Sequence, residues 1–195
     1  MTIPIGGQGD DIHALLFRFL GAFAHIQNYI DEHLATRFLE KRIPNAATFF
    51  WDGAVSRIRD SERPKLVQKI ASDISSEADL SCFSTIYADV KKLRDQSAHA
   101  ARVEAVSKDE VRITPTILTS ASEPEVNWTT ITRSQLDDAI KSCAWLEAQI
   151  QYAMYSGDLG MKMYKGGQEV EAVKPSRLPK DWDGVALRPL AEERP

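Results

Sequence analysis

Cysteine is scarce in this chain, with two residues in 195. That number excludes a disulfide framework, and Cys82 and Cys143 each fall within a predicted helix, where they read as small core residues of a reducing, cytoplasmic compartment. No glycine-rich phosphate loop, no G-x-S-x-G elbow and no cysteine–histidine cluster occurs, so no cofactor and no metal set is expected. Apolar runs are too short for a membrane span, and "MTIPIGGQGDD" lacks a basic region followed by an apolar one, so neither an anchor nor a signal peptide is expected. Excess positive charge is also missing: a net charge of −4 argues against a broad nucleic-acid-coating surface but leaves room for a local basic site.

What is present is ordinary globular material, 43% hydrophobic and 27% charged, in a length that suits one domain with an appendage. Residues 1–10 read as a flexible lead-in. A long helical pattern then runs from Asp10 or Asp11 to about Lys41, ended by Pro44. Its apolar residues, from Ile12 to Phe38, cover about half the helix circumference, wider than a surface helix needs, and suggest packing on two sides. Residues 45–59 read as a shorter accessory helix interrupted near Gly53, with Phe49, Phe50 and Trp51 as packing aromatics. Ser61 opens the next helix, with Pro64 in its first turn.

Ser76 and Asp79 have the spacing of a capping box for a central helix, with Phe83, Ile86, Val90, Leu93 and Ser97 inward. The period then changes. "VRITPTIL" and "VNWTTI" suggest a small hairpin, with Pro115 suited to an edge strand and Trp128 covering the core side. Ser134 and Asp137 cap a final helix to about Tyr155. From Gly157 the chain holds five of its ten glycines and four of its nine prolines, so residues 157–195 read as an extended or disordered tail. The expectation is a mainly α fold over residues 11–156: a bundle of four main helices, a short accessory helix and a minor hairpin.

The stretch "DVKKLRDQSAHA", residues 89–100, stands out because Arg94, Asp95 and His99 crowd one helix end. On an ideal helix Tyr87, Lys91, Arg94, Asp95, Ala98, His99 and Arg102 share the side opposite the expected core. Arg94 and His99 border that face, about 140° and 7.5 Å apart. An imidazole can exchange a proton with a ribose 2′-hydroxyl or a leaving oxygen, and a guanidinium offers a planar fork to phosphate. Asp95 could orient His99 or hold Arg94, while Lys91, Arg102 and Tyr87 could touch substrate. A solvated helix end has the same composition, and both readings stay open on the residues alone.

"LRDQSAH", residues 93–99, resembles the R-x(4–6)-H motif of the HEPN superfamily, whose members commonly read Arg-Asn-x-x-Ala-His near the end of a late bundle helix. Arg94 and His99 match its two defining positions, Asp95 the polar residue after the arginine and Ala98 the small residue before the histidine. Ala100 stands where glycine is common, and Ala101 where the sub-family paired with nucleotidyltransferase antitoxins has tyrosine. The resemblance implies a HEPN-like bundle, a homodimer with two motif copies facing one cleft, and metal-independent cleavage of an RNA substrate, in a toxin or antiviral-defence setting with a possible antitoxin or defence-system partner. Some members of that superfamily are non-catalytic interaction modules, which is the alternative implied function.

Overall fold

The computed structural model describes residues 11–39, 53–115, 127–158, 160 and 162–190. Four helices carry the core: α1 (Ile12–Leu39), α2 (Arg63–Asp73), α3 (Phe83–Ala98) and α4 (Arg133–Ser156). Two antiparallel three-stranded sheets accompany them, one of β1 (Arg102–Ser107), β2 (Glu110–Thr114) and β3 (Thr129–Thr132), the other of β4 (Met163–Lys165), β5 (Gln168–Ala172) and β6 (Leu187–Pro189). The mainly α bundle expected from the sequence is therefore corrected to a mixed α/β fold. The aromatic stretch Phe49–Trp51, the lead-in 1–10 and the turn between the two expected hairpin strands lie outside the described residues.

The long helix α1 buries Ile12, Leu15, Leu16, Phe19, Phe23, Ile26, Ile30 and Leu34, a 3–4-residue spacing that lines one side of a helix. It packs chiefly against α4 and also meets α2, α3, β2 and a 3-10 turn at Val55–Arg57, whose Val55 is fully buried. Among the described residues, the apolar stripe from Ile12 to Ala35 is buried by this chain's own elements, with Leu20 and Tyr29 half-buried. Helix α2 begins at Arg63 with Pro64 in its first turn, where the missing N–H costs no intrahelical bond.

Helix α3 starts at Phe83, later than the Ser76–Asp79 spacing suggested. Asp79 instead accepts from the Ser81 N–H at 3.0 Å, a local turn, and Ser76 reaches across to the Ser156 hydroxyl at 3.0 Å. This segment closes on the end of α4, where Asp158 donates to the Ile74 carbonyl at 2.6 Å. Gly157 is required there, since a Cβ would come within 2.5 Å of the Ile74 side chain and 2.8 Å of its carbonyl oxygen.

The first sheet follows α3 at once, with Ala101 donating to Thr114 at 2.8 Å. Val111, Ile113 and Ile131 turn inward onto the helices. β2 is the central strand, not an edge, and it ends at Thr114, just ahead of the proline that removes a ladder donor. β3 runs directly into α4, so Thr132 and Gln135, rather than Ser134 and Asp137, form the capping box. The second sheet lies in the segment read as a tail. Gly166 and Gly167, at φ 59° and 81°, make the two-residue turn that joins β4 to β5. Val170 and Ala172 are buried, and Trp182 joins the main core. The fully buried Trp145 of α4 donates to the Ser176 carbonyl at 2.8 Å, which fastens this segment to the helices.

Candidate functional site

Helix α3 is turned from the expected orientation, so that Tyr87 faces inward with Phe83, Val90 and Ser97 while Ile86 and Leu93 are half-buried. The spacing 83, 87, 90, 97 fits a helical stripe as well as the one read from sequence, and α1 decides between them: the Phe23 ring takes the Tyr87 ring at 5.5 Å. Tyr87 is 1% exposed. Burial, then the nearby Asp60 charge, pushes its phenol well above the ordinary range. It belongs to the packing beneath the candidate site rather than to a rim.

Around it lies a network of charges contributed by α1, α2, α3 and the turn before α2. Arg63 donates through Nε and Nη2 to both Asp31 oxygens, at 2.7 and 2.8 Å, and through Nη1 to Asp60. The Asp31 hydrogen bond is the main cause of an Arg63 guanidinium held above its ordinary value, working against burial. Asp60 also accepts from Gln27 at 2.6 Å and from Arg94 Nη2 at 2.9 Å. Arg94 pairs with Asp95 at 3.0 Å and lies over the Phe23 ring, 4.9 Å from its centre. Lys91 donates to Asp95 and stands 4.0 Å from Asp60. Three cations meet three carboxylates, so the network is electrically balanced. Arg94 Nε is buried without a hydrogen-bond partner. The network adjoins a cleft of about 390 Å³ between the start of α2 and α3, lined by Lys65, Lys91, Lys92, Ser84 and Asp95 among others.

Of the sequence-predicted site residues, Tyr87, Lys91, Arg94 and Asp95 thus come together, and His99 and Arg102 stand apart from them. Asp95 holds Arg94 and Lys91. His99 caps the C-terminus of α3, with its backbone N–H closing on the Asp95 and Ser97 carbonyls and its side chain exposed. Arg102 is not on the helix at all; it opens β1, pairs with Glu104 at 2.6 Å and approaches Trp128. Trp128 itself lies on the outer face of the sheet, beside Arg102 and Arg112, instead of covering the core side.

Asp31, Asp60 and Arg63 went unnoticed in the sequence because each reads there as an ordinary charge on a helix or turn. Asp31 is the residue that could have been found: it carries a carboxylate at the inward position between Ile30 and Leu34, and a buried carboxylate needs a partner. Among the described residues no group of three His, Cys, Asp or Glu side chains converges in a way that could hold a metal ion, and no helix is long and apolar enough to cross a membrane. No family model, curated protein or solved structure matches the chain.

Proposed function

We propose that the chain is a metal-independent endoribonuclease that uses the HEPN-type motif at the end of α3. One observation carries the reading: an exposed histidine, His99, closes the helix that also holds Arg94 in a fixed charged setting. The reading rests on the motif and not on an all-helical architecture. His99 takes the proton from a ribose 2′-hydroxyl as its oxygen bonds to phosphorus; the bond from phosphorus to the 5′-oxygen breaks, and a solvent water protonates that oxygen as it leaves while the His99 imidazolium returns its proton to solvent. Arg94 exchanges carboxylate for phosphate oxygens and steadies the added charge. Asp95 and Asp60 hold Arg94 until then. A second copy of the chain belongs to this reading, and Phe17 on α1, 72% exposed, is one apolar side chain open to its contact.

The balanced network also favours a second reading. Arg94 is neutralised by its own chain, which is what a non-catalytic interaction module built on the same helix would show. Incubating the purified chain with single-stranded RNA in the presence of a chelator separates the two. The enzyme produces ends carrying 2′,3′-cyclic or 3′-phosphate; His99→Ala lowers the rate about 10²–10⁴-fold and Arg94→Ala about 10²–10³-fold, with helical spectrum and light-scattering mass unchanged. Equal inertness of wild type and His99→Ala toward diverse RNAs selects the module.

A further inference from the structure

The first sheet has an outer face that the charge network does not use. In register, Arg102 pairs with Thr114, and the β2–β3 pairing continued by one residue places Trp128 on the far side of Thr114. The next outward-facing row is Glu104, Arg112 and Thr130. The Trp128 ring centre lies 4.4 Å from the Arg112 guanidinium carbon and 5.8 Å from that of Arg102. Glu104 accepts from Arg112 at 2.6 and 2.9 Å and pairs with Arg102 at 2.6 Å, so one carboxylate holds both guanidiniums over the indole ring. Their side chains are 52% and 44% exposed, and the indole is half-buried. Arg102 follows His99 by three residues, and the Ala101–Thr114 hydrogen bond fixes that short connection.

We infer that this face is a binding platform for single-stranded RNA, in which a base takes the place of the Arg112 guanidinium over the Trp128 ring and Arg102 and Arg112 swing to the phosphates on either side of it. Around the indole two arginines meet one glutamate, a local cationic excess on a face that carries Glu110 one row farther along β2, in a chain whose net charge is −4. Charge complementarity therefore favours a polyanion, and the aromatic between the two cations favours one that carries flat bases. Each guanidinium has five N–H donors, so pairing with Glu104 leaves donors for phosphate. The inference rests on the ribonuclease reading only for what the bound strand is for: His99, the proposed acid–base group, precedes Arg102 by three residues and is exposed at the end of α3.

Fluorescence anisotropy with a labelled 2′-O-methyl pyrimidine 12-mer tests binding without cleavage, since the probe lacks the attacking hydroxyl. Wild type binds, with affinity falling as salt rises. Trp128→Ala weakens binding about tenfold or more, within the range that loss of one aromatic stack produces, while Trp128→Phe retains most of it. Arg102→Ala and Arg112→Ala each flatten the salt dependence. In cleavage assays on ordinary RNA, Trp128→Ala raises KM and spares kcat, whereas His99→Ala lowers kcat and leaves 12-mer binding intact. Binding that depends on Trp128 without any cleavage upholds the platform and sinks the ribonuclease reading. Cleavage that depends on His99 but is indifferent to Trp128→Ala does the reverse. If wild type does not bind the 12-mer at low salt, or if a folded Trp128→Ala protein binds it as tightly, the platform is refuted.

Discussion

The charge network under α3 and the outer face of the first sheet contain the same chemical parts, guanidiniums bound to carboxylates beside an aromatic ring. Their surroundings differ. In the network the Arg63 and Asp31 side chains are each 10% exposed, while Arg102 and Arg112 on the sheet are 52% and 44% exposed. Asp31, if it loses its partner, cannot be rehydrated in full, whereas Glu104, covered by exposed arginines, is met by water once one of them is removed. Pairs that look alike therefore serve different ends. The Arg63–Asp31 pair fixes how α1 and α2 meet, while Arg94 at the edge of the network and the two sheet arginines can exchange a carboxylate for a ligand.

The largest effect that sharpens this contrast comes from Arg63→Ala, which strips both oxygens of the buried Asp31 of their donors. Urea unfolding at neutral pH is expected to show a loss of about 3–5 kcal/mol, the usual cost of breaking a buried pair from one side. A loss no greater than that of a surface substitution would erase the distinction between the two regions. Next in size is Asp60→Asn, which keeps the shape but removes the charge shared by Gln27, Arg63 and Arg94. It should cost about 1.5–3 kcal/mol, as for a hydrogen bond to a charged group. In a double-mutant cycle with Arg94→Ala, a coupling of about 0.5–3 kcal/mol marks direct contact, and a coupling of zero would mean that Asp60 does not restrain Arg94 in solution.

The legible part of the molecule was its long-period part. The buried residues of α1, the Pro64 start of α2 and the β2–β3 pairing all leave strong local signals, and the structure has each of them. The sheets were mostly lost for identifiable reasons. β1, "RVEAVS", is an edge strand exposed along nearly its whole length, so alternation had no buried face to mark it. β4 and β6 are three residues each, too short for a period, though "GGQEVEA" did contain a two-residue glycine turn ahead of alternating residues. At the site, spacing put Arg94, Asp95 and Lys91 on one side of a helix, and they do meet. Asp31 and the Asp60–Arg63 pair come from two other places in the chain, and only tertiary packing unites them with α3. Arg102 was misplaced because the helix ends at Ala98 and the chain then turns into a strand.

The smallest effect tests the exposed half of the comparison. Glu104 is held below the ordinary carboxylate range, chiefly by the Arg112 hydrogen bond, which desolvation opposes and the charges of Arg102 and Arg112 reinforce. A carboxyl whose folded pKa is depressed stabilises the fold above its unfolded pKa, near the ordinary glutamate value of 4.5, and that contribution disappears as pH falls through the folded value. Arg112→Ala removes the largest cause and leaves Arg102 in place, so the Glu104 carboxyl should titrate at higher pH than in wild type while remaining below an isolated glutamate. Carbon-13 titration of the side-chain carboxyl reads this directly. Because water replaces the lost partner, the melting temperature at pH 7 should hardly move. An unshifted Glu104 titration would mean that the arginine does not rest on this carboxylate in solution; a large fall in melting temperature would mean that the sheet face is part of the fold's support, as the buried network is, and is not free to exchange its partners for RNA.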